Sequence, residues 1–208
     1  MAQEASPGRQ RPVLAPRPFW YLRHGETDWN ARGLSQGRSD IALNEKGLAQ
    51  AESAGRILAS GADGFAPIAR IVASPLVRAL RTAEIALEAM KKAGHPDLSI
   101  TTDPDLREVS FGVQEGQPMG DWYDSWIAGD FTPEGAEVFA DLMERAAGAV
   151  NRATAGEGVV LIVCHGAMFR ALRAVMHLPA NVRLSNAVPL WLEPGADPAT
   201  PWSLTERS

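Results

Sequence analysis

The chain has 208 residues, of which 45% are hydrophobic and 22% are charged, and its formal net charge is −5. This length suffices for one α/β domain with a substantial core. The negative charge excludes a global basic surface, so we expect no nucleic-acid partner. With a single cysteine, Cys164, the chain has neither an internal disulfide framework nor a multi-cysteine metal site. A reducing compartment fits this cysteine count, and we expect a cytoplasmic protein.

Residues 1–18 contain four prolines and no apolar run of signal-peptide length. We interpret them as a flexible N-terminal tail that precedes a single domain over residues 19–208. No segment approaches the roughly 18 apolar residues of a membrane span, so no membrane partner is expected. The sequence leaves a homo-oligomer open.

The first half of the domain predicts strands that alternate with helices. Short apolar runs predict strands at 19–22, in "ARIVAS" and in "LSITTD". Asn44 is predicted to be a helix N-cap, and Gly61 is expected to end that helix. Its buried face is predicted to contain Leu48, Ala51, Gly55 and Leu58. The next helix is predicted to begin with Ser74 as cap and Pro75 at the first helical position. Its buried face is predicted to contain Leu76, Leu80, Ala83 and Leu87.

A Gly-, Asp- and Trp-rich segment from Glu108 to about Asp130 has weak periodicity and predicts a long irregular excursion, of a kind that is often functional. Its aromatic side chains suit either the core or a lid over a pocket; they are Trp122, Tyr123 and Trp126. A helix is then predicted from Thr132-Pro133 to about Arg152. Its inward residues are predicted to be Val138, Leu142, Ala146 and Ala149.

The run "VVLIV" at 159–163 is continuous and apolar, which is typical of a strand buried on both faces. A helix from Gly166 and a strand in "AVPLWLEP" complete the pattern, and Cys164 is expected to be a small buried residue of the strand. Strands that alternate with helices indicate an α/β fold with a mostly parallel sheet and helices on both faces.

Two His-Gly pairs stand where predicted strands end, at His24 and at His165. Ligands of such sheets bind outside the carboxyl ends of the strands, so the two imidazoles are expected to meet at one edge. A helix that begins at Gly166 would direct free N–H groups to the same place, which suits an anion. Arg23 adjoins His24, and Arg78 lies early in a helix that follows a strand. Since guanidinium groups match phosphate oxygens, these residues predict a phosphate pocket.

Five ordered motifs carry a family resemblance: "RHGETDWN", "QGRSDIALNEKG", "SPLVRALRTAE", "LREVSFGVQEG" and "VCHGAMFRAL". Together they resemble the histidine phosphatase superfamily, also called the phosphoglycerate mutase-like family, over roughly residues 19–193. The resemblance implies a three-layer sandwich with a mostly parallel central sheet flanked by helices.

The resemblance also implies roles for the matched residues. His24 would be the nucleophile that takes the phosphoryl group on nitrogen, and Glu108 would be the general acid and later the base. The phosphate would be held by Arg23, Arg78 and His165. The remaining pocket residues would be Thr27, Asn30, Gln36 and Gly37, with the backbone amides of Gly166 and Ala167. Glu115 and Glu26 are the alternatives to Glu108, although Glu26 is expected to brace the loop after His24.

These features favour a phosphomonoesterase of the histidine acid phosphatase type, which needs no metal or cofactor because arginines and histidines supply the positive charge. Its partner would be a small phosphorylated substrate. The alternatives are a phosphoglycerate mutase, a phosphoprotein phosphatase and a non-catalytic protein of the same fold that binds a phosphorylated ligand.

Charge favours a phosphatase over a mutase. Residues 108–144 contain nine acidic residues and neither Lys nor Arg, so this segment offers no grip for a second anionic group. Arg32 and Arg38 are the nearby cations that could serve one. We therefore expect a substrate whose distal part is not strongly anionic.

Overall fold

The computed structural model describes residues 11–60, 67–197 and 200–207, and these form an α/β fold. The strands are β1 (Phe19–Arg23), β2 (Ile68–Ala73), β3 (Ile100–Thr102), β4 (Val159–Cys164), β5 (Leu190–Glu193) and β6 (Ser203–Glu206). The α-helices are α1 (Asp28–Ala31), α2 (Glu45–Ala59), α3 (Val77–Lys92), α4 (Trp122–Ala128), α5 (Phe139–Thr154) and α6 (Gly166–Val175). Two short 3₁₀ turns span Pro104–Leu106 and Gly112–Gln114.

The strands form one sheet in the order β3-β2-β4-β1-β5-β6. The pairs β3·β2, β2·β4 and β4·β1 are parallel, while β5 and β6 add an antiparallel edge. This confirms the mostly parallel sheet, and β6 is a strand that the sequence pattern did not reveal. The central strand β4 is buried along its whole length, as its apolar run predicts.

Alternation along the two central strands distributes their side chains between two helical layers. Tyr21 and Ile162 pack in the core beneath α5 and α6, whereas Leu22 and Leu161 pack in the core beneath α2 and α3. Because side chains of a strand point to opposite faces in turn, a sheet of this kind needs a helical layer on each side. The three-layer sandwich is therefore confirmed.

The register of β1 and β4 positions the two histidines. Arg23 pairs with Cys164, so the residue after each strand lies at the same edge of the sheet. The N–H of His24 donates to the carbonyl of Cys164 at 3.0 Å and continues this ladder by one residue. The expected meeting of His24 and His165 thus follows from strand pairing.

Helix α2 begins after Asn44, as predicted, and Ala51, Gly55 and Leu58 of its predicted face are buried. Leu48 is the exception at 40% exposed, and Gly47 and Ala54 are buried in addition. A Cβ at Gly47 would collide with the backbone of Glu26, and this close approach turns Leu48 outward. The predicted helix end at Gly61 lies outside the described residues.

Two helices start later than the sequence pattern predicts. Helix α3 begins at Val77 with Leu76 as N-cap, not at Ser74, whose hydroxyl is engaged with His165. Helix α5 begins at Phe139, not at Thr132–Pro133, and Val138 is 42% exposed.

The late start of α5 has a tertiary cause. Residues 133–137 form a turn that pairs with the excursion, through a bridge between Phe111 and Ala136 and a bond from the N–H of Glu137 to the carbonyl of Ser110. Gly135 has a φ of 71° in this turn, a conformation that glycine adopts without strain. Pairing with a distant segment therefore overrides the local Thr-Pro start signal.

Part of the expected flexible tail packs against the domain. Leu14 is buried, the N–H of Ala15 donates to Asn151 Oδ1 at 2.8 Å, and Arg17 donates to the carbonyl of Thr154 at 2.9 Å. These contacts attach the segment to the end of α5, so the tail prediction is wrong for residues 14–17. Residues 1–10 of the predicted tail lie outside the described residues.

The excursion contains α4, and its aromatic residues join the core. Trp126 is fully buried, its ring centroid lies 5.0 Å from that of Phe139, and its Nε1 donates to the carbonyl of Glu137 at 2.8 Å. Tyr123 is also buried and reaches the cavity described below. Of the two sequence-based interpretations, the core applies to Trp126.

Within the described ranges, no helix combines the length and the apolar character that crossing a membrane requires.

Candidate active site

A cavity of about 320 Å³ opens at the carboxyl ends of β1 and β4. This is the position at which parallel α/β sheets bind their ligands. The predicted site residues that line it are Arg23, His24, Asn30, Gln36, Gly37, Arg78, Glu108, Gly166 and Ala167. Its volume lies at the lower end of the ~300–1,000 Å³ typical of ligand pockets, which suits a small molecule.

His24 lines this cavity, and the ring of His165 lies beside it with the ring centroids 5.3 Å apart. Both histidines are buried, and His165 is not among the described residues that line the cavity. Nδ1 of His24 lies 2.7 Å from the carbonyl oxygen of Gly25. A carbonyl oxygen only accepts hydrogen bonds, so Nδ1 carries the proton and Nε2 of the neutral ring carries the lone pair. The backbone after β1 thus fixes His24 in the tautomer that leaves Nε2 free to attack.

Burial keeps both rings neutral. It lowers the pKa of His24 well below its usual value, and the positive charges of Arg78 and Arg23 lower it further, while the bond to Gly25 acts in the opposite direction. The pKa of His165 is lowered by burial first and then by Arg78 and the neighbouring His24. A neutral imidazole is the nucleophilic form, so His24 is in that form near neutral pH.

His165 is held from two sides. Its carbonyl accepts a hydrogen bond from the hydroxyl of Tyr21 at 2.7 Å, and its Nε2 lies 2.7 Å from Oγ of Ser74. Its Nδ1 is buried and has no hydrogen-bond partner in the described part of the chain. A buried polar atom without a partner is unfavourable, so this nitrogen is available to a ligand.

Arg78 is fully buried, and its guanidinium group binds backbone carbonyls of the loop that follows His24. It donates to the carbonyls of Ser39 at 2.8 Å and Gly37 at 2.7 Å, while its Nε meets no partner among the described residues. Burial lowers its pKa from the usual value. The group stays charged because an arginine starts from a pKa of about 12.5 or more.

Arg23 has a similar arrangement. It donates to the carbonyl of Leu184 at 2.6 Å, and its Nε is likewise without a partner over residues 11–60, 67–197 and 200–207. Burial lowers its pKa to about 10, so it too remains a cation near neutral pH. Arg23 and Arg78 therefore each place a buried, unsatisfied Nε beside the cavity that they line, and the unsatisfied Nδ1 of His165 belongs to the ring next to His24. Two guanidinium groups with free donors favour an anionic ligand.

Glu108 brings a carboxyl group to the same cavity. Its Oε1 accepts hydrogen bonds from the N–H groups of Val109 and Met168, both at 3.1 Å, and its Oε2 accepts one from the N–H of Ala167 at 3.0 Å. The carboxyl group thus caps the first turn of α6. The expectation that the Ala167 amide faces a ligand is therefore wrong in this conformation, since Glu108 occupies it.

The competing acids have other partners. Glu115 accepts bonds from the backbone of Arg38, Ser39 and Phe111 and so organises the loop opposite it. Glu26 pairs with Lys46 at 2.8 Å, which agrees with its expected bracing role. Neither is among the described residues that line the cavity.

Thr27 was predicted to line the pocket, and the structure places it behind the cavity wall instead. It is fully buried as the N-cap of α1, accepts a bond from the N–H of Asn30 at 3.1 Å and donates to Oε1 of Gln36 at 3.0 Å. The lining residues within the described ranges include Asn30 and Gln36 but not Thr27. The hydroxyl of Thr27 bonds both to the N–H of Asn30 and to the side chain of Gln36, so Thr27 positions these two residues from behind the cavity wall.

Sequence reasoning missed Asn186. Its Nδ2 donates to the carbonyl of His24 at 2.9 Å and contacts Oδ1 of Asn30 at 3.3 Å. The loop before β5 thus clamps the loop after β1. No sequence signal marks Asn186, because its partners lie more than 150 positions away.

Sequence reasoning also missed two arginines that line the cavity, Arg170 of α6 and Arg183 of the following loop. The helical spacing of four from Gly166 to Arg170 was the signal for the first. The arginines proposed instead lie elsewhere: Arg38 contacts Glu137 and the carbonyl of Glu108, and Arg32 is an exposed residue at the end of α1. Neither belongs to the described cavity wall.

Cys164 is buried, as expected, and its Sγ lies 3.1 Å from the carbonyl of Leu106. Burial raises its pKa to about 12, so it is a thiol that takes no part in nucleophilic chemistry.

Among the residues described, no group of three or more His, Cys, Asp or Glu side chains is arranged to hold a metal ion.

The sequence matches the family model of the histidine phosphatase superfamily (branch 1) over residues 19–187. The chain belongs to this superfamily. The match covers His24, His165, Arg23, Arg78 and Glu108, and it confirms the resemblance seen in the five motifs.

Similar proteins of the superfamily include both phosphatases and mutases. The chain is 36% identical to the uncharacterized phosphatase PhoE of Bacillus subtilis, over 73% of this chain and 72% of that protein. It is 34% identical to the probable phosphoglycerate mutase GpmB of Proteus mirabilis, over 80% of each. Among solved structures, a mycobacterial glucosyl-3-phosphoglycerate phosphatase in complex with vanadate superposes with a TM-score of 0.75 and 28% identity, over 90% of this chain and 97% of that one.

Proposed function

We propose that this protein is a phosphatase that hydrolyses a small phosphomonoester through a phosphohistidine at His24. The observation that carries the proposal is the convergence of His24, whose Nε2 is free, with two buried, unsatisfied guanidinium nitrogens at one cavity, those of Arg23 and Arg78. The ring of His165, whose buried Nδ1 is also unsatisfied within the described residues, lies next to that of His24. These nitrogens suit the oxygens of a phosphoryl group, whose charge they stabilise as it is transferred.

In the first half-reaction, Nε2 of His24 attacks phosphorus and the bond to the ester oxygen breaks. The leaving alcohol oxygen takes a proton from the carboxyl group of Glu108. The guanidinium groups of Arg23 and Arg78 hold the phosphoryl oxygens, while the Gly25 carbonyl stabilises the charge that develops on the ring through Nδ1–H. The intermediate divides one difficult transfer into two easier ones.

In the second half-reaction, water attacks the phosphorus of the phosphohistidine. Glu108, now a carboxylate, takes the proton of that water, and the N–P bond breaks to return a neutral His24 and inorganic phosphate. The same residue thus gives and recovers one proton per cycle. The positive charge comes from the protein's own side chains, so the proposal requires no metal ion and no cofactor.

Two observations support hydrolysis of a small metabolite. The cavity of about 320 Å³ is small, and similar proteins include a named phosphatase and a solved phosphatase structure. We also propose a cytoplasmic location, which fits the free thiol of Cys164.

The second candidate is transfer of the phosphoryl group within a substrate, as in a phosphoglycerate mutase. It is favoured by the two additional arginines of the cavity, Arg170 and Arg183, since a mutase must hold further negative charges, and by the similarity to the probable mutase of Proteus mirabilis.

Alkaline rapid quenching during turnover of a phosphomonoester tests the proposal, because phosphohistidine survives base and is lost in acid. We expect an adduct on the peptide that contains His24 and none in His24→Asn. An adduct on His165 would reverse the assignment of the two rings. In parallel, 3-phosphoglycerate with a trace of 2,3-bisphosphoglycerate distinguishes the two candidates. Phosphate release faster than formation of 2-phosphoglycerate supports the phosphatase, and the opposite order supports the mutase.

A further inference from the structure

Glu108 lies on a segment outside the regular sheet and helices. Residues 107–110 connect the two 3₁₀ turns and belong to none of the described strands and helices. Glu108 and Val109 are nevertheless buried. Buried backbone N–H and C=O groups need hydrogen-bond partners, so side chains have to supply what a neighbouring strand would otherwise supply.

Arg145 of α5 supplies such partners on one side of Glu108. Its Nη1 donates to the carbonyl of Asp105 at 2.6 Å and to the carbonyl of Arg107 at 2.7 Å. The second of these carbonyls belongs to the peptide group that joins Arg107 to Glu108. The guanidinium group of Arg145 therefore fixes the backbone immediately before Glu108.

Glu137 holds this guanidinium group in position. Its Oε1 accepts a hydrogen bond from Nε of Arg145 at 2.8 Å, and its Oε2 accepts one from Nη2 at 2.7 Å. The side chains of Arg145 and Glu137 are only 15% and 14% exposed. Burial acts to lower the pKa of Arg145, but the hydrogen bonds and the charge of Glu137 outweigh it, and the pKa is raised. A charged guanidinium group that makes two bonds to one carboxylate has a fixed plane.

The backbone of Glu137 is anchored to the same region. Its N–H donates to the carbonyl of Ser110 at 2.9 Å, and its carbonyl accepts from Nε1 of Trp126 at 2.8 Å. The turn over residues 133–137, which delays the start of α5, thus brings a carboxylate to Arg145 and also binds the chain two residues after Glu108. Glu108 is held on both sides by one connected group of contacts.

Arg38 makes a weaker contact with this group. Its Nη2 lies 3.5 Å from Oε2 of Glu137, and its Nε lies 3.4 Å from the carbonyl of Glu108. The side chain of Arg38 is 42% exposed, against 15% for Arg145. Because water and salt screen an exposed charge, the contribution of Arg145 is the larger one.

We propose that the buried pair of Glu137 and Arg145 positions Glu108 for proton transfer. This inference rests on the proposed function, in which Glu108 is first the acid and then the base. Neither Glu137 nor Arg145 is among the described residues that line the cavity, so the pair acts through Glu108 and not on the substrate. A displacement of a reacting group by about 1 Å can lower a rate about 10²-fold, so an anchor outside the cavity affects the chemistry within it.

Arg145→Gln removes the anchor and leaves the phosphate donors Arg23 and Arg78 in place. We expect kcat for glycerol 3-phosphate to fall by about 10- to 100-fold with little change in KM. The loss should be smaller for p-nitrophenyl phosphate, whose leaving group needs little protonation. Glu137→Gln keeps the shape of the side chain, and this milder variant should show the same difference between the two esters with a smaller loss.

Arg152→Gln is the matched control. Arg152 lies on the same helix and is 54% exposed, and it binds the carboxylates of Asp103 and Asp105, not the backbone beside Glu108. This variant loses the same charge from α5 and should keep the wild-type kcat for both esters.

A double-mutant cycle separates positioning from a general structural role. In a Glu108→Gln background, Arg145→Gln should cost almost nothing further, because the residue that it positions no longer transfers a proton. The charge of Arg145 also acts on His165, and an effect through that ring would persist in this background. Equal fractional losses in the two backgrounds, or equal losses for the two esters in Arg145→Gln, would overturn the positioning role.

The amide resonances of Ala167 and Met168 report where the carboxyl group of Glu108 lies without any turnover, because both N–H groups donate to it. We expect Arg145→Gln to shift these resonances toward their positions in Glu108→Ala, and Arg152→Gln to leave them unchanged. Unchanged resonances in an Arg145→Gln variant of an active, adduct-forming protein would remove the positioning role and leave the proposed function intact. If the wild-type protein releases no phosphate and forms no adduct while the resonances still shift, the proposed function fails and the anchor of Glu108 stands.

Discussion

The hydroxyl of Ser74 lies 2.7 Å from Nε2 of His165, and both side chains are fully buried. The same Oγ accepts a hydrogen bond from the N–H of Leu76 at 3.3 Å, so its own proton is free for the ring. When Ser74 donates to Nε2, the neutral His165 carries its proton on Nδ1, the atom that has no partner within the described residues. Ser74 thereby makes Nδ1 of His165 a hydrogen-bond donor, which the proposed function assigns to a phosphoryl oxygen.

Ser74 is therefore expected to be a positioning residue. Ser74→Ala should lower kcat by about 3- to 10-fold, the cost of one misdirected hydrogen bond, whereas Ser74→Thr keeps the hydroxyl and should retain most of the activity. The decisive measurement is the ¹⁵N spectrum of His165, which should show the Nδ1–H tautomer in the wild-type protein and a mixture in Ser74→Ala. An unchanged tautomer in Ser74→Ala would leave Ser74 with only a structural role.

Glu108→Gln removes the transferable proton and keeps the side chain's shape. We expect kcat for an alkyl phosphate to fall by about 10²–10⁴-fold, as for loss of a general acid. The loss should be smaller for p-nitrophenyl phosphate, whose leaving group needs little protonation. Glu115→Gln is the matched control, because Glu115 binds loop N–H groups outside the cavity. Equal losses for the two esters would contradict the acid role of Glu108.

Prolonged dialysis against EDTA should leave phosphatase activity unchanged. The reason is that Arg23 and Arg78 already supply positive charge at the cavity, and the neutral His165 supplies a further donor beside His24. Activity is measured before and after dialysis, and again after addition of Mg²⁺ or Mn²⁺. Activity that is lost on dialysis and restored by either ion would refute the metal-independent mechanism.

The neutral buried histidines predict acid sensitivity of the fold. Both rings have a lowered pKa in the folded state, mainly through burial, and a pKa near ~6.5 once unfolded. Below pH ~6.5 the unfolded chain therefore binds more protons, so the free energy of unfolding falls as the pH is lowered, by up to about 1.4 kcal/mol per pH unit for each ring. Above that pH these rings contribute no slope.

Urea unfolding at pH 7.5, 6.5 and 5.5 measures this slope. His24→Gln should reduce the slope by about half, because one of the two rings is removed. His95→Gln should leave it unchanged, since His95 lies in the turn after α3, away from the site. A free energy of unfolding that is constant across this range would show that the two rings are not held neutral in the fold.

Some of these features could be predicted from the sequence because they depend on local pattern. A continuous apolar run predicted the buried strand β4. The alternation of strands and helices predicted a mostly parallel sheet, in which the carboxyl ends of the parallel strands lie at one edge. His24 and His165 follow paired strands, so their meeting is a consequence of chain order and register.

Other features depended on contacts between segments far apart in the chain. The start of α5 was mispredicted because residues 133–137 pair with the excursion, and Thr27 was mispredicted because its hydroxyl turns inward to hold Gln36.

The largest difference between the sequence-based prediction and the structure concerns which cationic side chains line the cavity. By itself, the sequence determined an α/β domain in which two histidines and two arginines meet at one edge of the sheet, because strand ends and the order of strands and helices follow from local periodicity. Only the tertiary structure decided that Arg170 and Arg183 line this cavity and that Ser74 orients His165. The physical reason is that a side chain's partners depend on how α6, α4 and the β2–α3 turn pack together, and this packing leaves no periodic signal in any one segment.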